Sequence, residues 1–277
     1  MTNRQSEKMT RLEAIFAGAG SAAVAFSGGV DSAFLLAAAH RVLGGKVLAL
    51  TARSLSFPDR ELEEAEAFCR ERGIRQVILD FDVFSVKGFE ENPRNRCYLC
   101  KKSLFSMFLS YAQSEGLALV AEGSNVDDEG DYRPGIIAVA ELRIRSPLRE
   151  AGFTKQEIRS ISKEMGLPTW QKPSYACLAS RFVYGERIDP KGLRMVQEAE
   201  QYLLDLGFPQ LRVRVHGGTC ARIEVPPDDL ERLFSLRKEV FAVLRSFGFT
   251  YVAVDLGGYR TGSMNETIFK ENEEQRR

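Results

Sequence analysis

The chain has 277 residues, 44% hydrophobic and 27% charged, a length and balance that suit one large or two modest globular domains with a real core. Lys plus Arg and Asp plus Glu are equal at 38 each, which disfavours a nucleic-acid partner, because a large tRNA or DNA footprint brings a basic excess. No apolar run approaches membrane-spanning length, Met1–Ile15 mixes both charge signs unlike a signal peptide, and five unevenly spaced cysteines make no disulfide scaffold, so the expected setting is the reducing cytoplasm.

Arg11–Ala17 reads as a short amphipathic helix leading into an apolar strand, Ala23–Phe26. Ser27-Gly28-Gly29-Val30-Asp31-Ser32 follows, and an Ala/Leu-rich helix then runs through Val42. Gly28 and Gly29 let backbone N–H groups close on a ligand, and a helix N-terminus offers unpaired donors that suit a phosphate. Ser27 and Ser32 add hydroxyls, and Asp31 fits a Mg²⁺ that bridges carboxylate and pyrophosphate oxygens. No Gly-Lys-Ser/Thr follows, so this is not a Walker loop; Gly18-Ala-Gly20-Ser-Ala-Ala23 precedes a strand and fails as a dinucleotide fingerprint. Lys46–Thr51 and Gln76–Asp80 read as further strands, with a helix over Asp59–Arg72 that buries Leu62, Ala65, Phe68 and Cys69 and stops at Gly73. Strand and helix alternate as in a parallel sheet, whose ligands bind beyond the carboxyl ends of the strands.

Glu90–Lys102 breaks that rhythm, with Pro93 and two Asn marking a loop. Cys97 and Cys100 stand three apart, a spacing that lets two thiolates face one metal, and Arg96, Lys101 and Lys102 give a positive setting that favours thiolates; the bland alternative is a helix start with two incidental cysteines. Ala118–Glu122 is a strand that ends in an acidic, Gly-rich loop through Gly135, where Asp127, Asp128 and Asp131 face metal, substrate or ribose, or form a solvated turn. Thr154 and Glu157 form a capping box on a helix through Met165. The segment Trp170–Gly185, bounded by Pro173 and Gly185, reads as an ordered connection that carries Cys177 and Arg181.

From Asp189 the pattern becomes αββαβ: a helix over Pro190–Leu206, strands at Leu211–Val215 and Ala221–Val225 paired as a hairpin, one long amphipathic helix over Asp228–Phe247, and a strand at Tyr251–Leu256. Strict alternation sets Arg212 and Arg214 on the same strand face, which without other information is a solvated one. Lys270–Arg277 is a charge-rich tail.

The loop Ser27–Ser32 resembles the pyrophosphate loop (PP-loop) of ATP pyrophosphatases, which cleave ATP between the α- and β-phosphates. Joined to Asp131-Tyr-Arg-Pro-Gly135, to Cys177 with Ser180-Arg181-Phe182 and Tyr184-Gly185, to Arg212-Val-Arg214 and to Asp255–Gly262, it makes nearly the whole chain resemble the LarE family. That resemblance implies an α/β fold, a parallel-sheet PP-loop domain over 1–168, an active-site connection over 169–188 and a smaller α+β substrate and oligomerisation domain over 189–270. It implies an ATP-dependent sulfur transferase with ATP and Mg²⁺, acting on a pyridinium dicarboxylate mononucleotide whose carboxylates become thiocarboxylates that hold nickel. Ser27, Gly28, Gly29, Asp31 and Ser32 would bind ATP; Ser180, Arg181, Arg212, Arg214 and Glu200 would bind substrate; Cys177, Asp31, Ser180 and Arg181 would act in catalysis. Cys97, Cys100 and Cys177 together resemble the three-cysteine members, which implies a [4Fe–4S] cluster, where single-cysteine members give up the sulfur of the cysteine itself. A homo-oligomer is expected. The alternatives are a PP-loop tRNA thiolation enzyme and a non-catalytic iron–sulfur or zinc-binding module.

Overall fold

Alternating apolar strands and Ala/Leu-rich helices build the first unit of the computed structural model, Met1–Phe89 with Asn95–Tyr175. The second unit is Glu90–Arg94 with Ala176–Arg277. The structure describes residues 1–128, 134–173 and 176–260. Asp131, Tyr132 and Arg133, the pair Ser174 and Tyr175, and Thr261 onward with the charged tail lie outside the described residues.

In the first unit, α1 (Asn3–Ala19), longer than the sequence suggests, leads into β1 (Ala22–Ala25) and α2 (Val30–Leu43). Then come β2 (Val47–Arg53), α3 (Asp59–Glu71), β3 (Gln76–Asp80), α4 (Arg96–Ser114) and β4 (Leu119–Ala121). Helices α5 (Gly135–Glu141), α6 (Pro147–Glu150) and α7 (Lys155–Glu164) complete it. The four strands are parallel in the order β3-β2-β1-β4.

Alternation within the strands feeds two cores. Val24 and Ala49 face one side with Leu12, Phe16, Phe34, Phe68 and Ile161, while Ala23, Leu48 and Leu50 face the other with Phe105, Phe108 and Val139. With helices on both faces, the strands read as continuous apolar runs. Helices α2 and α3 carry the chain outward on one face; α4 then returns it on the other, to β4 beside β1. The strand order therefore reverses between β1 and β4, and the loops after those two strands flank the crevice where such sheets take ligands.

Helix α4 supplies the helix start that the sequence left open as an alternative for Glu90–Lys102. It begins at Arg96, so Cys97 and Cys100 lie on its first two turns, one above the other on a single face. Phe105, Phe108 and Ala112 recur at helical spacing on its buried side.

The second unit holds α8 (Pro190–Asp205), β5 (Arg212–His216), β6 (Cys220–Glu224), α9 (Leu230–Ser235), α10 (Arg237–Ser246) and β7 (Tyr251–Val254). The expected hairpin is present, β5 antiparallel to β6, and β7 adds parallel to β6. The expected single helix over Asp228–Phe247 is broken at Leu236, whose N–H is shared between Arg232 O at 3.3 Å and Leu233 O at 3.1 Å. Ser235 Oγ donates to Arg232 O at 2.6 Å, a local bond that competes with the helix ladder. Residues 90–94 join this unit through their backbone: Gly185 N–H donates to Asn92 O and Ile188 N–H to Glu90 O. Asn92 is buried at φ 51°, and its Nδ2 donates to Val183 O at 2.7 Å.

Candidate active site

The loop after β1 is pinned by Thr51 of β2 and by its own serines. Thr51 Oγ1 donates to Phe26 O at 2.9 Å and fixes the end of the strand. Ser32 Oγ donates to Gly29 O at 3.1 Å, accepts from Ser27 N–H at 3.3 Å and lies 3.2 Å from Ser27 Oγ. Gly29 is the N-cap of α2, with no side chain capping it, so the first N–H groups of the helix face the loop. Gly28 sits at φ 73°, and a Cβ there would lie 3.1 Å from Glu61 O, so both conformation and space require glycine.

Asp31 stands in the first turn of α2, inside the helix and not at its cap. Its carboxylate pairs with Lys155 Nζ and accepts from Asn125 Nδ2 at 3.4 Å. Burial pushes the Asp31 carboxyl above its ordinary value; Lys155 opposes that shift and Asp128 adds to it. The loop after β4 closes on the same spot: a Cβ on Gly123 would lie 3.1 Å from Ser32 N and 3.3 Å from Asp31 C. Asp127 Oδ2 accepts from Lys155 N–H at 2.7 Å, and Asp128 Oδ2 from Asn125 N–H at 3.0 Å. Hydroxyls, helix N–H groups, a cation and carboxylate oxygens thus converge at the reversal of strand order. This donor set suits an anion with an accompanying Mg²⁺, a cation that takes oxygen ligands.

Sequence reasoning missed Glu61, Gly123, Asn125, Lys155 and Lys172. Lys155 carries a signal in retrospect, since a cation directly after the N-cap Thr154 opposes the helix dipole. Glu61 looks like an ordinary first-turn acid of α3, and Lys172 is one lysine before a proline.

In the second unit the structure brings together every residue assigned to substrate. Buried Arg181 donates to both oxygens of Glu200, each at 2.8 Å, and to Ser180 Oγ at 2.8 Å. Glu200 Oε1 also accepts from Val213 N–H at 2.8 Å. Burial alone would raise the Glu200 carboxyl, but the Arg181 guanidinium outweighs it and holds Glu200 below the ordinary value. The face that carries Arg212 and Arg214 is buried rather than solvated, with the two residues 4% and 5% exposed. Arg214 is engaged by Glu224 at 3.0 Å and by Ser180 O at 2.8 Å. Arg212 lies 5.1 Å over the Tyr259 ring, and burial together with neighbouring Arg181 lowers its pKa. Arg181, Arg212 and Arg214 thus share one buried cluster with Glu200 and Glu224, and guanidinium groups gathered in this way suit an anion.

Cys97 and Cys100 are half-buried in the first unit, and Cys177 is half-buried in the second. Within each unit, no three His, Cys, Asp or Glu among the described residues are arranged to hold a metal ion. Cys69 is a core residue whose thiol burial pushes up to about 12. Among the described residues no helix is long and apolar enough to cross a membrane.

No family model matches the chain. It is 40% identical over 265 residues to an uncharacterized protein of Synechocystis, covering 95% of this chain and 98% of that one. It is 39% identical over 248 residues to the pyridinium-3,5-bisthiocarboxylic acid mononucleotide synthase of Lactiplantibacillus plantarum, covering 89% and 90%. A tRNA-specific 2-thiouridylase of Acidithiobacillus ferrooxidans is 27% identical over 213 residues, 65% of this chain. Identity at this level over nearly all of both chains shows that the protein belongs to the LarE family of ATP-dependent sulfurtransferases.

Proposed function

We propose that this chain adenylylates a carboxylate of pyridinium-3,5-dicarboxylate mononucleotide and converts it to a thiocarboxylate for the nickel-pincer nucleotide. The observation that carries the reading is the convergence of Ser27, Gly29, Asp31, Ser32 and Lys155 where the strand order reverses. A carboxylate oxygen is a poor leaving group. Attack of that oxygen on the α-phosphorus of ATP forms an acyl-adenylate and breaks the bond to the β-phosphate, so pyrophosphate departs. Ser27, Gly28, Gly29 and Ser32 hold the pyrophosphate, Asp31 holds Mg²⁺, and Lys155 adds a cation where negative charge collects. A sulfur nucleophile then attacks the acyl carbon and displaces AMP. In the second unit, Arg212 takes the mononucleotide phosphate, Ser180 and Arg214 border it, and the Arg181–Glu200 pair sets the position of Ser180.

Cys97, Cys100 and Cys177 would hold a [4Fe–4S] cluster, in a chain whose first two thiols share one face of a helix start. Such a cluster supplies an iron position for hydrosulfide beyond its three thiolates. The protein would act in the cytoplasm as a homo-oligomer. Cys97→Ala and Cys100→Ala, prepared without oxygen and given ATP, Mg²⁺, sulfide and substrate, test the sulfur source. Both variants are expected to lose iron and the brown chromophore and to make no thiocarboxylate, while wild type turns over repeatedly at constant mass. Active variants in which Cys177 loses the mass of hydrogen sulfide would refute the cluster and establish sacrifice of the Cys177 sulfur.

A further inference from the structure

Lys172 lies outside the loop, yet its side chain reaches it. Its Nζ donates to Gly28 O at 3.1 Å, to Glu61 Oε2 at 2.7 Å and to Glu64 Oε2 at 2.5 Å. Its side chain is 10% exposed and that of Glu61 12%, so this ammonium is largely withdrawn from water. Its backbone is tied down as well: Arg159 of α7 donates to Lys172 O at 2.8 Å and to Trp170 O at 2.6 Å. Lys172 therefore fastens three elements to one carbonyl: α7 through Arg159, α3 through the two glutamates, and the loop.

The carbonyl is the informative partner. The described peptides contain no cis bond, so the Gly28 C=O and the Gly29 N–H point in opposite directions from one rigid plane. A cation that grips the carbonyl from the α3 side turns the N–H to the other side. Gly28, at φ 73°, lacks the Cβ that would otherwise restrain this plane. Without an external grip, the Gly28–Gly29 peptide is the easiest in the loop to rotate.

We infer that Lys172 is a positioning residue, holding the Gly28 carbonyl so that the Gly29 N–H faces the pyrophosphate of ATP, with Glu61 and Glu64 keeping the lysine from that anion. Two carboxylates neutralise the ammonium, so Lys172 acts through the peptide and not as a phosphate ligand. Burial pushes the Glu61 carboxyl above its ordinary value and Lys172 opposes the shift, as expected of carboxylate and ammonium kept together. The inference rests on the reading of Ser27–Ser32 as a pyrophosphate site.

Lys172→Met and Lys172→Arg in the full chain test it by calorimetric titration with Mg²⁺-pyrophosphate and, separately, with AMP. A hydrogen bond to a charged group is lost in Lys172→Met, so pyrophosphate affinity should fall about tenfold, ~1.4 kcal/mol, with AMP affinity unchanged. Lys172→Arg keeps a cationic donor and should recover most of that loss. Should Lys172→Met fail to fold, Lys172→Gln takes the same titrations with the same expectation. Parallel loss of AMP and pyrophosphate binding would reduce Lys172 to a structural role and overturn the inference. Undiminished pyrophosphate binding by the variant would overturn it alone, whereas a wild type that binds AMP but no pyrophosphate would overturn the loop reading with it.

Discussion

Removing the charge of Glu200 should cost more stability than removing the whole Arg181–Glu200 pair. Arg181 is fully buried and Glu200 6% exposed, joined by two bonds of 2.8 Å. Glu200→Gln keeps the volume but strands a buried guanidinium, a change that costs about 3–5 kcal/mol. Arg181→Leu with Glu200→Met strands no charge. It still leaves the Val213 N–H without its acceptor, for about 1–3 kcal/mol. The double variant should thus be the more stable of the two. Acid gives an independent check. Arg181 holds Glu200 below the unfolded value of about 4.3. Its stabilisation is therefore whole above that value and is lost as pH falls through the lower folded value; Glu200→Gln should flatten this acid limb. Hydrogen exchange of the Val213 amide, with urea denaturation, reads both effects. A cost under about 1 kcal/mol for Glu200→Gln, or a double variant less stable than the single, would refute the charge argument.

Asp31→Ala should abolish pyrophosphate release without lowering the melting temperature. Burial holds the Asp31 carboxyl above its ordinary value, so its charged form costs stability once pH has risen through that shifted value; a marked drop in melting temperature, or wild-type release, contradicts this. Gly28→Ala meets Glu61 O at 3.1 Å from a φ of 73°, a left-handed conformation that costs a side chain about 1–2 kcal/mol. Calorimetry should show weakened Mg²⁺-pyrophosphate binding, and full affinity would mean that the approach of α3 does not shape the loop.

The parallel sheet was legible because local cues agreed. Apolar runs, glycine stops and Ala/Leu helices name the same elements from β1 to β3, and Thr154 with Glu157 announces α7 through the capping box that the structure contains. What stayed open or went wrong has a different origin. Pro93 and the flanking Asn residues left a loop and a helix start both open around Cys97, because the apolar spacing of α4 becomes clear only beyond Cys100. The break at Leu236 depends on a serine hydroxyl bonding back to the helix, while the amphipathic period continues across it. In the site, the phosphate loop is a continuous string of residues and could be read as such. Its supports could not: Lys155 is 124 residues from Asp31 and Lys172 is 144 from Gly28, and no local pattern names the partner that either lysine reaches. Likewise, alternation set Arg212 and Arg214 on one face, but the carboxylates that bury that face stand on α8 and β6.

The detour of residues 90–94 into the second unit also has a consequence for synthesis. Asn92 emerges from the ribosome with its side chain destined for Phe182 O and Val183 O, 90 and 91 residues later. At about 5–20 residues per second, that segment waits roughly 5–20 s before its partners exist. During that interval β1, β2 and β3 are already made, while β4 and the loop that closes on Asp31 are still being added. Folding of the nascent chain should therefore proceed with a short polar stretch held in reserve, and Glu90, Glu91, Asn92 and Arg94 keep it soluble until the second unit arrives to claim it.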